Sequence, residues 1–411
     1  MDQRKTVPRL TRVSPQYRRA SVALFLAGFA TFSLLYCVQP LLPVFARDFG
    51  VSPASSSLPL SCSTFALAVA IVLAAILSER AGRRELMFAS LLASSLLNIA
   101  CAVAPTWSFL LGLRLLEGFT LGGVPAVAMT WLAEEVEPAE LGLAMGLYVA
   151  GTAFGGMVGR VGAGVLAEHY GWRGALGSVG LLDVAAALGF VRLLPLSQHF
   201  APRRNLGAAY HLKAWRGHMG TAELRAIYWI GALVMGCFMA VFNYAGYRLM
   251  RPPYGFTQTQ QGYLFLIYVF GIGASSLAGF LTDRMGRGKV LVAGIATMTF
   301  GVLLSVFAQI GFIVAGVALV TIGFFAAHAV ASSWVGRLAR TDRGHATSLY
   351  LLSYYLGGTI AGTMGGWFWS HDGWNGVAGF SLLLMAAALG AAGWMLCRER
   401  HSTLLAPEAA E

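Results

Sequence analysis

The chain is poor in charge and in cysteine, and both shortages exclude classes of protein. Only 11% of its 411 residues are charged, against roughly 25% in soluble proteins. In contrast, 57% are hydrophobic and the mean hydropathy is +0.67, more apolar surface than a soluble fold of this size could bury. The five cysteines have no Cys-x-x-Cys or metal-ligand spacing, so we expect no disulfide, no metal and no cofactor. The composition indicates an integral membrane protein.

Twelve apolar stretches are each long enough for a helix to cross the hydrocarbon core, which takes roughly 20 residues. They are continuous runs rather than short alternating segments, and this excludes a β-barrel. The sequence therefore predicts an all-α membrane protein with twelve transmembrane spans. These are 21–46, 57–78, 86–104, 107–132, 141–166, 172–194, 226–250, 261–282, 289–308, 311–335, 346–368 and 374–397.

The basic residues lie mostly on one side of this topology. When both termini are placed inside, only Arg47, Arg173, Arg248 and Arg251 fall at the outer side. This asymmetry follows the positive-inside rule and predicts cytoplasmic termini. The net charge of +11 is therefore a topology signal, and we expect no nucleic-acid partner.

The longest polar stretch divides the spans six and six. The predicted organisation is a basic tail at 1–20, a six-helix bundle at 21–194, a cytoplasmic linker at 195–225, a second six-helix bundle at 226–397 and a tail at 398–411.

The two halves repeat one another in three places. AILSERAGRR at 75–84 returns as GFLTDRMGRG at 279–288, and AVAMTW at 126–131 returns as AVASSW at 329–334. The third pair is LYVAGTAFGGMVGR at 147–160 and LYLLSYYLGGTIAG at 349–362. Because each half has six spans, the repeat predicts two parallel halves, an architecture found in alternating-access transporters.

The repeated segments at 75–84 and 279–288 resemble the loop motif G-x-L-x-D-R-x-G-R-[KR] of the major facilitator superfamily. Arg114 with Gly118 resembles a second motif of that family, which is linked to proton coupling. Gly151, Gly155, Gly156 and Gly159 resemble part of its antiporter signature, with Gly156 in place of proline and Arg160 in place of the last glycine. Gln39-Pro40-Leu41-Leu42-Pro43 together with the glycine run suggests a branch of bacterial efflux permeases, similar to arabinose-efflux-like and drug:proton antiporters.

The resemblance implies the major facilitator fold, a bacterial inner-membrane location, a functional monomer and transport of a small molecule coupled to protons. It also implies a conformational latch at the cytoplasmic ends of spans 2 and 8. Ion pairs there would form in one state and break in the other; the alternative is a role in topology and turn formation. The latch residues are Glu79, Arg80, Arg83, Asp283, Arg284 and Arg287.

Four charged residues lie inside predicted spans, where each costs about 2.5–3.5 kcal/mol unless it is paired or hydrated. They are Arg114, Glu117, Arg160 and Asp183, and we assign them to proton coupling. Arg114 and Glu117 are one helical turn apart and can pair. Our hypothesis is that Glu117 carries the proton while Arg114 sets its pKa; the alternative is a permanent structural pair. Arg160 would complete the cluster, whereas Asp183 is on a span that is peripheral in this fold.

Further residues are expected to line the substrate cavity or to pack helices together. The cavity candidates, on spans that line it in the family, are Tyr36, Gln39, Asn243, Tyr244 and His328. A lone histidine can also be a hydrogen-bonded structural group. The four glycines at 151–159 allow close helix approach, either for a moving interface or for static packing. The acidic stretch Glu134, Glu135, Glu137 and Glu140 is expected to be a solvated loop face.

Three functions remain open from the sequence. The first is a proton-driven exporter of a drug, sugar or metabolite. The second is a proton symporter that imports a sugar or organic anion. The third is a membrane sensor or enzyme, against which stands the lack of a nucleotide-binding loop, a nucleophile motif or an appended soluble domain in the sequence.

Overall fold

The computed structural model of this protein describes residues 9–77, 82–199, 208–339 and 341–404. Apart from one isolated bridge between Leu10 and Val136, the described residues form helices and their connections. The helices are α1 (Pro15–Tyr36), α2 (Leu42–Phe49), α3 (Pro53–Ser56), α4 (Leu58–Leu77), α5 (Arg83–Ala102), α6 (Trp107–Leu121), α7 (Pro125–Glu135), α8 (Leu141–Leu193), α9 (Ala208–Gly220), α10 (Ala222–Met250), α11 (Gln258–Tyr263), α12 (Tyr268–Met285), α13 (Arg287–Leu304), α14 (Ile310–Leu338) and α15 (Arg343–Leu404), with 3-10 turns at Gln39–Leu41 and Leu264–Ile267.

These helices account for the twelve predicted spans. Among the described residues, eight helical stretches are long and apolar enough to cross a membrane. Two of them, α8 and α15, each contain two spans joined at a sharp reversal. The apolar helix α4 and the interrupted pair α6–α7 supply the other two. The predicted all-helical membrane fold is confirmed.

The first and fourth spans are interrupted near prolines. Helix α1 ends at Tyr36, four residues before Pro40. Because proline has no amide hydrogen, Pro40 cannot bond the Tyr36 carbonyl in a continuing helix. The fourth span breaks between Leu121 and Pro125, and Pro125 then occupies the first turn of α7, where its missing N–H has no cost.

Glycines make the two reversals. Gly171 has φ 69° within α8, and Gly373 has φ 56° within α15. A residue with a side chain is disfavoured at such positive φ. The reversals lie between predicted spans 5 and 6 and between spans 11 and 12, in the repeated sequences HYGW and HDGW.

The polar region predicted as a linker contains a helix that the sequence analysis did not anticipate. Helix α9 covers Ala208–Gly220, and α10 starts at Ala222, four residues before the predicted seventh span. Thr221 forms the only break between α9 and α10.

The chain separates into two compact units. Unit 1 comprises Met1–Leu41 and Phe65–Leu206; unit 2 comprises Leu42–Thr64 and Gly207–Glu411. Residues 42–64 thus group with unit 2, whereas the sequence assigns them to the first bundle; the bundle boundaries stay a prediction.

Unit 1 is centred on α1 and the first part of α8. Its buried core includes Leu24, Trp131 and Phe190. Gly151 and Gly155 of α8 lie against the backbone of Phe25 and Phe29 in α1, so a Cβ at either glycine would fall within 2.4 Å of a carbonyl oxygen. The predicted close helix approach is therefore present at these glycines.

Unit 2 is centred on α10 and α15. Gly357 of α15 lies against the backbone of Ala232 in α10. The beginning of α4 is attached to α15 by hydroxyl pairs, Ser61 with Thr363 and Thr64 with Thr359, each at 2.8 Å. These pairs explain why this stretch groups with unit 2.

Candidate functional site

Four charged side chains among the described residues of unit 1 are no more than 1% exposed. They are Arg114, Glu117, Arg160 and Asp183, the four residues that the sequence analysis assigned to proton coupling. Charges at such depth are functional candidates because they are costly to bury without partners.

Arg114 and Glu117 form a buried ion pair on α6. Arg114 Nη1 donates to Glu117 Oε2 at 2.7 Å, and both side chains are fully buried. The same guanidinium donates to the carbonyls of Leu34 at 3.2 Å and Leu35 at 2.9 Å. These carbonyls belong to the last turn of α1, where helical acceptors lack intrahelical partners and carry partial negative charge. The carbonyl groups at the end of α1 therefore form a binding site for the Arg114 guanidinium.

Asn98 connects this pair to two further helices, a role that the sequence analysis missed. Its Oδ1 accepts from Arg114 Nη1 at 3.3 Å, and its Nδ2 donates to the Leu176 carbonyl at 2.8 Å. The Cys37 thiol lies 3.5 Å from the same Oδ1. An amide within an apolar span was the available signal, since buried polar groups require partners.

Glu117 is only half satisfied. Among the described residues, its Oε1 has no hydrogen-bond partner although the atom is buried. Arg114 therefore donates to several acceptors. Glu117 accepts from Arg114 through Oε2, and its Oε1 is an open oxygen, one that accepts no hydrogen bond from a described residue. An open carboxylate oxygen beside a fixed cation is a position where a proton can bind.

Asp183 belongs to the same buried region. Both of its carboxyl oxygens are buried and form no hydrogen bond to any described residue. Ser33 and Glu117 are both near enough to act on its carboxyl group electrostatically. Although its span was expected to be peripheral, its carboxyl group lies close to the Arg114–Glu117 pair.

Arg160 forms a second cluster with two residues predicted to line the cavity. Its Nε donates to Gln39 Oε1 at 2.6 Å, and its Nη1 donates to the Gly156 carbonyl at 2.6 Å. The guanidinium carbon lies 3.9 Å from the centre of the Tyr36 ring, a cation–π geometry. The sequence indicated Tyr36, Gln39 and Arg160 as site candidates but did not predict that they contact one another.

The remaining predicted cavity residues lie in unit 2. Tyr244 is fully buried and donates to the Gly362 carbonyl at 2.9 Å. Asn243 Nδ2 lies 3.5 Å from the same carbonyl. Both side chains join α10 to α15, and their role in lining a cavity stays a prediction.

His328 lies in an aromatic group of unit 2. Its Nδ1 pairs with Tyr350 Oη at 2.9 Å. Its ring is parallel to that of Phe324, at 5.9 Å, and 4.6 Å from that of Tyr354. In the sequence, these aromatic partners are indicated only by the four-residue spacings in α14 and α15.

The first copy of the loop motif is partly described. Arg83 makes two hydrogen bonds to Glu134, at 2.6 Å from Nε and 2.5 Å from Nη2. Glu79 and Arg80 lie outside the described residues. The local sequence did not indicate Glu134 as the partner of Arg83, and the latch role of Arg83 stays a prediction.

The expectation of a solvated acidic face at 134–140 is wrong for its first two residues. Glu134 binds Arg83, and Glu135 is only 3% exposed. Glu135 accepts from the amides of Gln198 and His199, at 2.8 and 2.9 Å, and from the His199 ring. The carboxylates point toward donors from distant parts of the chain, which the local sequence does not indicate.

In the second copy, a carboxylate from α15 caps α13. Glu399 accepts from the amides of Arg287, at 3.1 Å, and Gly288, at 2.7 Å. Arg284 lies over the Phe280 ring. Within the described part of the chain, Asp283 has no ion pair within 4 Å. The latch role of Asp283, Arg284 and Arg287 stays a prediction.

Comparisons with known proteins agree with this architecture. The family model of the Major Facilitator Superfamily matches residues 24–250 and 228–411. Inner membrane transport protein YnfM of Escherichia coli (strain K12) is 44% identical over 96% of this chain and 94% of its own length. MFS-type transporter YybF of Bacillus subtilis (strain 168) is 41% identical over 93% of this chain and 94% of its own.

A solved structure shares the fold at low sequence identity. A bacterial homologue of the human lysosomal transporter Spinster superposes with a TM-score of 0.75 and 15% identity, over 94% of this chain and 97% of that one. The twelve spans, the repeated loop motif, the family match over nearly the whole length and relatives above 40% identity lead to one conclusion: the chain belongs to the major facilitator superfamily of transporters.

Proposed function

We propose that this secondary transporter is a proton-coupled antiporter of the bacterial inner membrane that exports a small molecule by alternating access. Both termini would lie in the cytoplasm, as the distribution of basic residues predicts. The partial antiporter signature at Gly151, Gly155, Gly156 and Gly159 favours export.

One observation carries the proposal: the fully buried Arg114–Glu117 pair with an open carboxylate oxygen. Protonation of Glu117 would convert the neutral pair into a single buried cation. An uncompensated buried charge costs several kcal/mol, so proton binding changes the relative free energies of conformations that solvate Arg114 differently. Such a free-energy difference between states is what a coupled transporter requires.

Arg114 can remain in place when the proton arrives. Its other acceptors, the Leu34 and Leu35 carbonyls and Asn98 Oδ1, do not depend on the charge of Glu117. The guanidinium is thus held while the carboxyl group titrates. Asp183 is the second candidate proton carrier, because it lies in the same buried region and interacts electrostatically with Glu117.

For the cargo, we propose that the Tyr36–Gln39–Arg160 cluster supplies a contact from unit 1. A guanidinium stacked on a phenol ring can bind a carboxylate or another acceptor while the ring contacts apolar surface. This chemistry suits a moderately apolar small molecule that bears an acceptor group or negative charge. The aromatic group around His328 is a separate candidate in unit 2.

The decisive experiment uses purified protein in liposomes that contain a pH-sensitive dye. A panel of lipophilic cations, sugars and organic anions is added under an imposed proton gradient. A compound whose flux drives protons in the opposite direction supports antiport and names the substrate class. Protons that move with the compound would establish the symporter instead, and a panel that moves no protons would count against coupling.

Once a cargo is found, Glu117→Gln tests the proton carrier. Glutamine keeps an oxygen for Arg114 but cannot bind a proton, so we expect proton-driven accumulation to be lost while cargo exchange without a gradient persists. Asp183→Asn is the matched control, since it neutralises the neighbouring buried acid. Full proton-driven transport by Glu117→Gln, with loss in Asp183→Asn, would move the role to Asp183.

A further inference from the structure

Unit 2 contains a cavity that the proposed transport cycle does not use. Its volume is about 1360 Å³, and its walls come from α9, the start of α10, the end of α14 with the residues after it, and the end of α15. The cavity therefore lies where the helix of the linker region meets the ends of three membrane spans. By the positive-inside prediction, this is the cytoplasmic end.

The acidic side chains of this cavity are already engaged. Glu223 pairs with Arg398. Glu399 accepts two backbone amides at the start of α13. Asp342 accepts the hydroxyl hydrogen of Tyr210. Each carboxylate in the wall thus has a donor or a cation of its own.

Two cations in the wall have no such partner. Among the described residues, neither Lys213 nor Arg337 forms a hydrogen bond or has a carboxylate within 4 Å. Arg337 also acts on Arg287 as a like charge. Positive groups that face a common cavity without counter-ions provide a site for an anion, and guanidinium matches the geometry of phosphate oxygens.

The surroundings of the cavity suit an amphiphile. Helix α9 exposes the apolar side chains of Leu212 and Met219, each nearly half exposed, beside the basic residue Lys213. This combination is typical of helices that lie in the membrane interface. Trp394, 40% exposed, lines the same cavity, and tryptophan favours the level of lipid headgroups.

We propose that this cavity binds the phosphate group of an anionic ligand, with Lys213 and Arg337 as its counter-ions. The exposed apolar face of α9 favours a phospholipid headgroup over a soluble phosphate ester as the source. Basic pockets beside transmembrane helices on the cytoplasmic side bind anionic headgroups in this way. The site does not include Arg114, Glu117 or the cargo cluster, so it stands apart from the proposed transport function.

The test is native mass spectrometry of the full chain in a neutral detergent, titrated with phosphatidylglycerol. Phosphatidylcholine is the neutral-headgroup comparison, and inorganic phosphate is the soluble competitor. We expect saturable binding of phosphatidylglycerol in preference to phosphatidylcholine. A basic residue near a lipid surface contributes about 1 kcal/mol, so Lys213→Gln and Arg337→Gln should each weaken binding about fivefold.

Arg216→Gln is the matched control, because Arg216 is an exposed cation on the same helix but does not line the cavity. Its binding should equal that of the unaltered protein. If millimolar phosphate displaces the lipid, the site takes soluble phosphate too; if it does not, the site is lipid-specific, and both results support a phosphate site. Equal binding of the two lipids, or equal losses in Arg216→Gln and Lys213→Gln, would overturn the proposal. Should Arg337→Gln fail to fold, the exposed Lys213 decides the matter alone.

Discussion

Gly155 in unit 1 lies against the Phe29 carbonyl, and Gly357 in unit 2 lies against the Ala232 carbonyl. A Cβ would fall 2.1 Å from the first oxygen and 2.2 Å from the second. The repeat in the sequence pairs these two glycines. Each unit therefore contains the same close approach of a glycine to the backbone of a neighbouring helix.

The side chains around that contact differ. In the repeat, Val317 and Val320 of unit 2 occupy the positions equivalent to Arg114 and Glu117 of unit 1, and all four side chains are buried. Likewise, Gly362 takes the position of Arg160, and its carbonyl accepts the Tyr244 hydroxyl. One helical scaffold thus accepts either an apolar core or a charged one. A helical bundle of this kind therefore does not require the charged cluster of unit 1 to hold its helices together.

The largest expected effect comes from breaking the ion pair. Arg114→Val leaves Glu117 as a buried charge without its partner, which should lower the free energy of unfolding by about 3–5 kcal/mol. The double variant Arg114→Val/Glu117→Val carries the residues of unit 2 and should recover most of that loss, since apolar replacements of buried pairs are often neutral or stabilising. Denaturant titration in detergent measures both.

Transport assays on the same variants distinguish a loss of stability from a loss of proton coupling. The double variant should fold but lose proton-driven transport. A double variant that is as unstable as Arg114→Val would contradict the view that the unpaired carboxylate causes the loss.

The next largest effect is expected at the glycine contacts that both units have in common. Gly155→Ala and Gly357→Ala should each lower the free energy of unfolding by about 1–3 kcal/mol, because the new methyl group overlaps a backbone oxygen. Gly162 and Gly390, which have no atoms within 4 Å of a built Cβ, are the controls. Their alanine variants should be neutral or gain up to about 1 kcal/mol. A loss of thermal stability in the variant of one unit only would show that the two glycine contacts are not equivalent.

A hydrogen bond in the charged core of unit 1 should contribute more to stability than one in the uncharged core of unit 2. Gln39→Leu removes an acceptor from the Arg160 guanidinium, and a bond to a charged group contributes about 1.5–3 kcal/mol. Tyr350→Phe removes the neutral bond to His328, worth about 1 kcal/mol. Unfolding titrations should rank the two losses in that order; the reverse order would show that Arg160 does not depend on Gln39.

The smallest effect concerns how each loop motif caps the following helix. Helix α5 has its own acid, Glu85, in its first turn, whereas α13 has none and is capped by Glu399 of α15. Glu399→Gln should cost about 0.3–1 kcal/mol through weaker interaction with the helix dipole. Glu85→Gln, at an exposed position, should cost less. Melting temperatures at low salt would detect the difference, and a larger loss at Glu85 would contradict it.

Several features of the fold followed from local sequence. Hydropathy located all twelve spans because a helix must present an apolar surface over the thickness of the bilayer. The three-residue spacing of Arg114 and Glu117 predicted a pair that needs no information beyond one helix. The repeat indicated equivalent spans in the two halves. Each of these features depends on neighbours along the chain or on composition.

The local sequence did not indicate the partners of the buried polar groups. Arg160 binds Gln39, which is 121 residues away, and Asn98 binds the carbonyl of Leu176, 78 residues away. The helix of the linker region and its cavity were missed as well, because α9 has a polar composition and its role depends on packing against α10 and α15.

The sequence by itself determined the number of spans and the repeat of the two halves, since hydrophobicity and backbone sterics act locally. The breaks near Pro40 and Pro125 fall inside stretches that hydropathy assigned to single continuous spans. Only the tertiary structure decided which face of each span meets another helix. In a membrane, both the lipid-facing and the core-facing sides of a helix are apolar, so the hydrophobic pattern does not distinguish them. The positions of Arg160, Asp183 and Asn98 relative to their partners depend on that choice.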